Sequence, residues 1–503
     1  MSAAESAIPP HAGDYDVIVI GAGIIGAMIA RRLSKLQGRF AVLEKAAFPG
    51  CGVSKASLSQ IHLPDFCPPG SLKGKLCRDA PTRFKRLANE LGVHYREVDE
   101  LWLALKPAQV SDLEAAKARA ESHGATGFEI IGPQRIRELE PHVTPKAVAG
   151  LYARGLGVIY TPQWNFALIE NAVQNGVQLH LQTEVVDIVK TKDGTYGLTT
   201  NQGTLTSRYV INAAGLYADE IAKMAGDGHV KLSLRKGTML IFDKSVSHLV
   251  RHMIFGTFSE SHSQDIAPTA HGNLILGVHY VPANNKTDTK VSREGIQQTF
   301  ELGRQLVPAL SQKDIITSFA GILANPVMTP DGDFYIAASE HAPRVIHVVV
   351  GAPGLSAAPA VAEYVIQLLA DAGMPVEEKT GFNPKRGGWP AFEIASIPKK
   401  QQMIAANSKY GHIICRCEQV TEAETVASIR RGAHTMDAVK HLTRAGMGRC
   451  QGGFCSPFVL KCLADELGIA PTQVTKSGPG SRPILKMTKT PRSGFKTSDQ
   501  VQG

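Results

Sequence analysis

Long apolar runs are missing from this chain of 503 residues; none approaches the roughly 18 needed to cross a bilayer. The first 13 residues lack a basic stretch followed by an apolar core, so no secretory signal is expected and they read as a flexible leader. Cysteine is scarce: eight residues in a chain this long cannot form a disulfide scaffold. Aromatic residues make up only 6% and do not interleave with basic ones, which excludes a nucleic-acid module. The charge imbalance is modest, at +9, and permits at most an attraction toward acidic substrates or an anionic membrane surface. What remains is an ordinary globular composition, 43% apolar and 20% charged, long enough for two or three domains. A cytoplasmic protein is the expectation.

What is present begins at Asp16. The run Val17-Ile18-Val19-Ile20 stops at three glycines, Gly21, Gly23 and Gly26, spaced G-x-G-x-x-G, and a helical pattern follows through Ala27, Met28, Ala30, Leu33 and Leu36. This predicts a buried parallel strand, a tight turn and a helix. Gly21 permits the turn, Gly23 lets a pyrophosphate approach the backbone, and Gly26 allows close packing. The helix N-terminus then faces the phosphates. The next strand, Phe40-Ala41-Val42-Leu43, ends in Glu44, where a carboxylate accepts hydrogen bonds from a ribose. An ordinary glycine turn in an α/β sheet is the competing reading.

Further on, helices are predicted at Pro81 to Leu91, at Ser111 to Ser122 (Ser111 as N-cap, Glu114 completing a capping box), and at Gln163 to Asn175. Strands are expected near Glu100 to Leu105, Val177 to Leu181 and Thr183 to Ile188. Tyr209 to Asn212 should form another, ending in Ala213-Ala214-Gly215 before a helix near Asp219. Between 230 and 330 strands alternate with turns, as in Arg235 to Phe242. Val348-Val349-Val350-Gly351-Ala352-Pro353-Gly354-Leu355-Ser356 leads into a helix ending near Leu369.

With Pro49-Gly50-Cys51-Gly52-Val53-Ser54-Lys55-Ala56-Ser57 leading to His62, these motifs resemble the FAD-dependent oxidoreductases of the glycerol-3-phosphate dehydrogenase and D-amino-acid oxidase superfamily. The resemblance covers most of residues 14–370. It implies an α/β fold: a Rossmann-like FAD-binding domain (14–90, 150–230 and 328–375), with an inserted antiparallel-sheet substrate domain (91–149 and 231–327). A linker (376–408), a small helical module (409–470) and a flexible tail (471–503) complete the expected organisation. The resemblance places Gly21, Gly23, Ile24, Ile25, Gly26, Glu44, Lys45, Ser54, Lys55, Ser57, Val185, Ala213, Ala214, Gly215, Gly332, Asp333, Gly351, Gly354, Leu355 and Ser356 at FAD. It puts His62 beside the flavin ring. The residues around His62, Leu58-Ser59-Gln60 before it and Leu63-Pro64 after, differ from the related dehydrogenases.

The cysteines gather near the end. Cys415 and Cys417 form C-x-C; Cys450 and Cys455 form C-x4-C after 32 intervening residues. Two short helices lie between, one capped by Thr421 with Glu424, and Ser456-Pro457 opens a third. Four thiolates on two loops suit zinc or an iron–sulfur cluster. The stretch Thr443 to Cys455 resembles the [2Fe-2S] domain of bacterioferritin-associated-ferredoxin type, as found at the C-terminus of some anaerobic-type glycerol-3-phosphate dehydrogenases. That resemblance implies a [2Fe-2S] cluster on these four cysteines. Zinc, or a metal-free docking module, stays the alternative.

Flavin takes two electrons and a cluster passes them singly, so a dehydrogenase is favoured over an oxidase. No second G-x-G-x-x-G is present for NAD. A small-molecule substrate needs a base for its hydroxyl or amine proton, and His62 is the candidate. Glycerol 3-phosphate or a 2-hydroxyacid is the expected substrate. An amino or imino acid, or a non-catalytic electron-transfer subunit, is the alternative. The resemblance also implies an acceptor or partner subunit, an oligomer, and peripheral membrane association through that partner. Relatives carry an arginine after Phe-x-Gly-x; here Phe319-Ala320-Gly321-Ile322 is followed by Leu323. An anionic substrate group would need another cation, from among Arg251, His252, His262, His271, Lys55 and Lys236.

Overall fold

Val- and Ile-rich runs bounded by glycine make poor helices and good buried strands, and in the computed structural model they form the centre of the first sheet. Residues 14–256, 262–388 and 391–486 are described; the leader lies outside them. The chain divides into two units, 1–390 and 391–503.

In the first unit Tyr15–Ile20 is fully buried and pairs in parallel with Phe40–Leu43 on one side and Gly203–Asn212 on the other. Gln178–His180 and Val345–Val349 extend the parallel set. Val185–Lys190 and Tyr196–Thr200 add an antiparallel edge. The helices Ile24–Leu33, Ala80–Leu91, Thr161–Gln174 and Gly354–Asp371 share one core with this sheet. Strands on this scaffold deliver their C-terminal ends to a common edge, where α/β folds place ligands.

A second sheet of eight strands runs in the order Ile315–Pro326, Leu232–Phe242, Leu274–Ala283, His262–Pro268, Met253–Gly256, Glu100–Ala104, Ala149–Ala153 and Phe128–Ile131. Its pairs are antiparallel except Met253–Gly256 with Glu100–Ala104. This is the architecture the resemblance implied: a Rossmann-like α/β half beside a largely antiparallel sheet.

Three local expectations are corrected. Ser111 is not an N-cap: the helix starts at Val110, the Ser111 hydroxyl donates back to Ala108 O, and the Gln109 carboxamide caps the turn before it. Residues 376–408 are not a free linker. Lys379 N–H bonds Lys35 O, and the buried Arg386 pairs with Glu170 in the first unit, whereas Ile397–Ala406 is a helix of the second. Of the expected tail, the described residues 471–486 begin fastened to the module. Met436 and Asp437 N–H bond the carbonyls of Thr475 and Lys476, at 3.1 and 2.8 Å.

The second unit is a small helical module. Ile413–Cys415 and Val420–Thr421 form a two-stranded ribbon, followed by helices Glu422–Arg430, Met436–Thr443 and Ser456–Leu467. Thr421 and Glu424 make the predicted capping box, Glu424 N–H to Thr421 Oγ1 at 3.2 Å and Thr421 N–H to Glu424 Oε2 at 2.9 Å.

Candidate active site and cysteine centre

The first glycine loop is explained by contact. A Cβ on Gly21 (φ +102°) would lie 2.6 Å from Ala213 O, and one on Gly26 would lie 1.9 Å from Gly21 O. Strand, turn and helix therefore touch through backbone. Gly23 differs: its added Cβ would meet Ser54 Oγ at 3.3 Å, and its φ of −69° suits any residue. The fold itself does not require glycine there, and the backbone is left open to approach. The helix Ile24–Leu33 begins with no side-chain cap from Gly23 and no acid in its first turn. Its leading N–H groups suit an anion. Ser54 Oγ accepts from Ile24 N–H at 2.8 Å and so ties the 53–61 segment to the loop. Glu44 accepts from Ala22 and Ala46 N–H at 2.8 Å each, and a carboxylate has lone pairs left for a ribose. Lys45 lies over the Tyr217 ring at 3.2 Å, beside Ala213, Ala214 and Gly215. These donors, glycine gaps and acceptor fit a dinucleotide.

Other predicted residues are placed as follows. Val185 is buried where its strand begins. Ser57 meets Thr161 Oγ1 at 3.3 Å. Lys55 is exposed. Gly332 precedes Asp333, whose carboxylate caps the helix Leu72–Cys77, taking Leu72 and Lys73 N–H at 2.7 and 2.9 Å. Asp333 thus serves the chain itself, a role the sequence did not announce. A Cβ on Gly351 would strike Asn325 Oδ1 at 2.1 Å. Gly354, Leu355 and Ser356 form the uncapped first turn of the helix Gly354–Asp371.

That turn meets the candidate base. His62 N–H donates to Ser356 Oγ at 2.8 Å. The His62 ring packs edge-on against Phe66 and Phe255, with centroids at 5.3 and 5.8 Å. Its Nδ1 is 3.5 Å from Glu100 Oε2. Burial lowers the His62 pKa, opposed by the charges of Asp65 and Asp265. Glu100 is fully buried; burial pushes it up to about 7, against the hydrogen bond from Trp102 and the neighbouring Asp65 carboxyl. Asp65, also fully buried, is pushed well up by burial and then by the charge of Glu100. Glu100 and Asp65 escaped sequence reasoning. The signal available was an acid set inside an apolar run, Leu63-Pro64-Asp65-Phe66 and Glu100-Leu101-Trp102.

The second sheet supplies a wall to this region. A Cβ on Gly321 would lie 2.8 Å from Ala56 Cβ, so that face of the sheet meets the segment leading to His62. Leu323 is two residues on and shares the face. Directly opposite Leu323 in the register stands Arg235, and opposed residues project to the same side. The Arg235 guanidinium lies over the Tyr280 ring at 4.7 Å. Burial raises the Tyr280 pKa to about 12, and Asp265 and Arg235 act on it in opposite directions. Asp265 acts on His62 as well, so Arg235 and His62 share a neighbourhood. Of the other cations, Lys236 pairs with Asp288 at 2.8 Å, His252 Nδ1 lies 2.7 Å from Glu140 Oε1, His271 packs on Tyr160, and Arg251 and Lys55 are exposed. The side chain of His262 lies outside the described residues.

The four cysteines converge in the second unit. Cys417 Sγ and Cys450 Sγ are 3.8 Å apart, and Cys415 accepts a hydrogen bond from Cys455. That bond, with the N–H groups of Gly446 and Glu418, lowers the Cys415 pKa to about 6. A Cβ on Gly448 would overlap Cys417 Cβ at 2.2 Å, so only glycine lets the two loops close together. Two thiol pairs on two loops, one backed by backbone donors, supply the four thiolates that a [2Fe-2S] cluster takes.

A dinucleotide loop, a half-buried histidine under a second sheet and a four-thiol module mark a flavin-binding oxidoreductase with a metal–sulfur module. The chain belongs to the FAD dependent oxidoreductase (DAO) family, which matches residues 16–368, and the BFD-like [2Fe-2S] binding domain matches residues 413–465. A glycerol 3-phosphate dehydrogenase of Caloramator mitchellensis is 39% identical over 480 residues, covering 95% of this chain and 99% of that protein. A glycerol 3-phosphate oxidase of Mycoplasma pneumoniae is 28% identical over 370 residues, 70% of this chain and 94% of that protein. The dithionite-reduced L-alpha-glycerophosphate oxidase of Mycoplasma pneumoniae, solved with FAD bound, superposes with a TM-score of 0.69 at 26% identity, covering 74% of this chain and 98% of that one. The protein is thus an FAD-dependent oxidoreductase carrying a [2Fe-2S] domain. Among the described residues no helix is long and apolar enough to cross a membrane.

Proposed function

We propose that this protein oxidises the secondary hydroxyl of glycerol 3-phosphate, with His62 as the base and Arg235 holding the phosphate. Bound FAD accepts the hydride, and the [2Fe-2S] centre on Cys415, Cys417, Cys450 and Cys455 passes electrons singly to a partner protein. The observation that carries the reading is the bond from His62 N–H to Ser356 Oγ at 2.8 Å. It fixes the half-buried His62 imidazole to the helix turn that the family places at the flavin.

The chain's own residues divide the work. Ser356 sets the His62 backbone, while Phe66 and Phe255 hold its ring and exclude water. Burial keeps the imidazole neutral near pH 7, as a base must be. Arg235 offers a planar fork suited to two phosphate oxygens, braced on Tyr280. Its place opposite Leu323 returns a guanidinium to the wall where the relatives' arginine is missing. The substrate is read by two groups: a base for the hydroxyl and a fork for the anion.

The test is anaerobic mixing of purified protein with glycerol 3-phosphate, glycerol, a 2-hydroxy acid and a secondary amine, following loss of the oxidised flavin band. Bleaching by glycerol 3-phosphate and not by glycerol is expected. Arg235→Met should raise KM for glycerol 3-phosphate by about 10- to 100-fold, the loss of a charge-assisted pair. A flavin that stays oxidised with every alcohol but bleaches with the amine would reassign the substrate. One that answers only to a protein donor would make the chain an electron-transfer subunit.

A further inference from the structure

Behind the His62 ring sits a pair of acids that the reaction as described does not use. Asp65, on the turn Pro64–Phe66, and Glu100, at the start of the strand Glu100–Ala104, are both fully buried. Glu100 Oε1 accepts from Trp102 Nε1–H at 2.8 Å. Glu100 Oε2, both carboxyl oxygens of Asp65 and His62 Nδ1 make no close hydrogen bond. Residues opposite Glu100 in its sheet are Ala153 and Met253, neither charged. The groups that face the pair are His62, the buried Cys77 thiol beyond Asp65, and Arg119, whose Nε–H bonds the Asp65 carbonyl at 2.8 Å. Asp265 approaches from the neighbouring strand, on the His62 side.

Two carboxylates cannot both ionise in such a site, and unpaired buried charge is costly. The charge of Glu100 adds to the rise at Asp65, so Asp65 is the one that keeps its proton, and Glu100, pushed up to about 7, titrates near neutrality beside it.

We propose that Glu100, poised by protonated Asp65, is a proton acceptor behind His62, so that the substrate's hydroxyl proton crosses the imidazole into a buried carboxyl pair. The inference rests on the reading of His62 as the base. In the step the substrate O–H bond breaks as an Nε2–H bond forms. The Nδ1–H bond breaks as an Oε2–H bond forms on Glu100. The imidazole ends neutral in its other tautomer, and Glu100 ends as a carboxylic acid. The 3.5 Å separation of Nδ1 and Oε2 is long for transfer, as is common before substrate closes a site. His62 is held by its backbone to Ser356, and its ring can tighten onto Glu100 without moving the chain.

The test is the rate of anaerobic flavin reduction by substrate as a function of pH, with flavin content and thermal midpoint measured on each variant. In the unaltered protein the rate should rise through pH about 7 as Glu100 ionises. Glu100→Gln should lower the rate on the order of 100-fold and erase that limb. Asp65→Asn keeps a donor to Glu100 and should leave the limb in place, whereas Asp65→Leu should move it to higher pH. Infrared spectroscopy of the resting protein supplies a readout independent of turnover. At a pH above the limb, where Glu100 is ionised, a carboxylic-acid C=O band from Asp65 should remain in the unaltered protein and vanish in Asp65→Asn. If Glu100→Gln does not load flavin, the two Asp65 variants and the infrared band decide alone. A Glu100→Gln protein with the unaltered limb and a rate within about threefold of normal overturns the relay. So does a spectrum taken above the limb that Asp65→Asn leaves unchanged. His62→Ala separates the two claims: a large loss there beside a silent Glu100→Gln sinks only the relay, whereas an active His62→Ala protein sinks the base itself.

Discussion

Replacing Gly23 and Gly26 one at a time should separate what the cofactor needs from what the fold needs. At Gly26 a new Cβ would sit 1.9 Å from Gly21 O and 3.4 Å from Val19 Cγ1, where real contacts stay beyond 3.0 Å. The helix would have to retreat about 1 Å from its strand, although Ala27, Ile29, Ala30 and Leu33 on it are fully buried. Overpacking of this kind costs about 1–3 kcal/mol. Because the obstruction is a backbone oxygen and not a pliable side chain, the upper end of that range applies. At Gly23 the new Cβ would touch only Ser54 Oγ, at 3.3 Å. The gain from a stiffer unfolded chain, about 0.4–1 kcal/mol, is then offset by the poorer capping of alanine, about 0.5 kcal/mol or more. The flavin-free protein should change by less than about 0.5 kcal/mol. Its capacity for FAD should collapse, because the methyl group occupies the approach of the pyrophosphate. The assay is the flavin-to-protein absorbance ratio after purification and reconstitution, paired with denaturant unfolding of the flavin-free form. Gly26→Ala should lose both stability and flavin; Gly23→Ala should lose flavin alone. A Gly23→Ala protein that binds FAD normally, or a Gly26→Ala protein of unaltered stability, refutes the reasoning.

Two further expectations follow from other parts of the molecule. Cys417→Ser should abolish iron binding and the cluster's visible absorption while leaving the flavin bleachable by substrate; iron content and anaerobic spectra check this, and loss of bleaching would contradict an export role for the module. The buried Glu100 makes stability fall as pH rises, because between its unfolded value of 4.5 and about 7 the native state holds a proton that the unfolded state releases. Glu100's share of the fall from about pH 5 to about pH 8 should be on the order of 2–3 kcal/mol, and Glu100→Gln should make the curve shallower by that amount while the share of Asp65 stays; denaturant midpoints at the two pH values give the answer, and parallel curves for the two proteins would exclude it.

The glycine loop was legible because three different physical demands fall at fixed spacing within seven residues: a positive φ, a ligand approach and a helix–strand contact. The cysteine module was legible for a similar reason, since four thiols in two short loops with capped helices between them leave few arrangements. Ser111 misled because its hydroxyl could serve either as a cap or, as happens here, as a donor to the turn before it. Glu100 and Asp65 were hidden: a lone acid in a strand says nothing of whether burial will leave it exposed or sealed. Arg235 was hidden by register. Nothing in a sequence states which residue of one strand will stand beside Leu323 of another, and that pairing is fixed by the whole sheet.

The juxtaposition of Arg235 and Leu323 reaches beyond this molecule. Two positions almost ninety residues apart in the chain project from one spot on the sheet, so a cation at either reaches the same side. A charge can therefore migrate between them over evolutionary time while the pocket stays the same. A comparison that scores each aligned column separately will record such an exchange as a loss of specificity. One that scores the sheet's cross-strand neighbours together will record it as conservation.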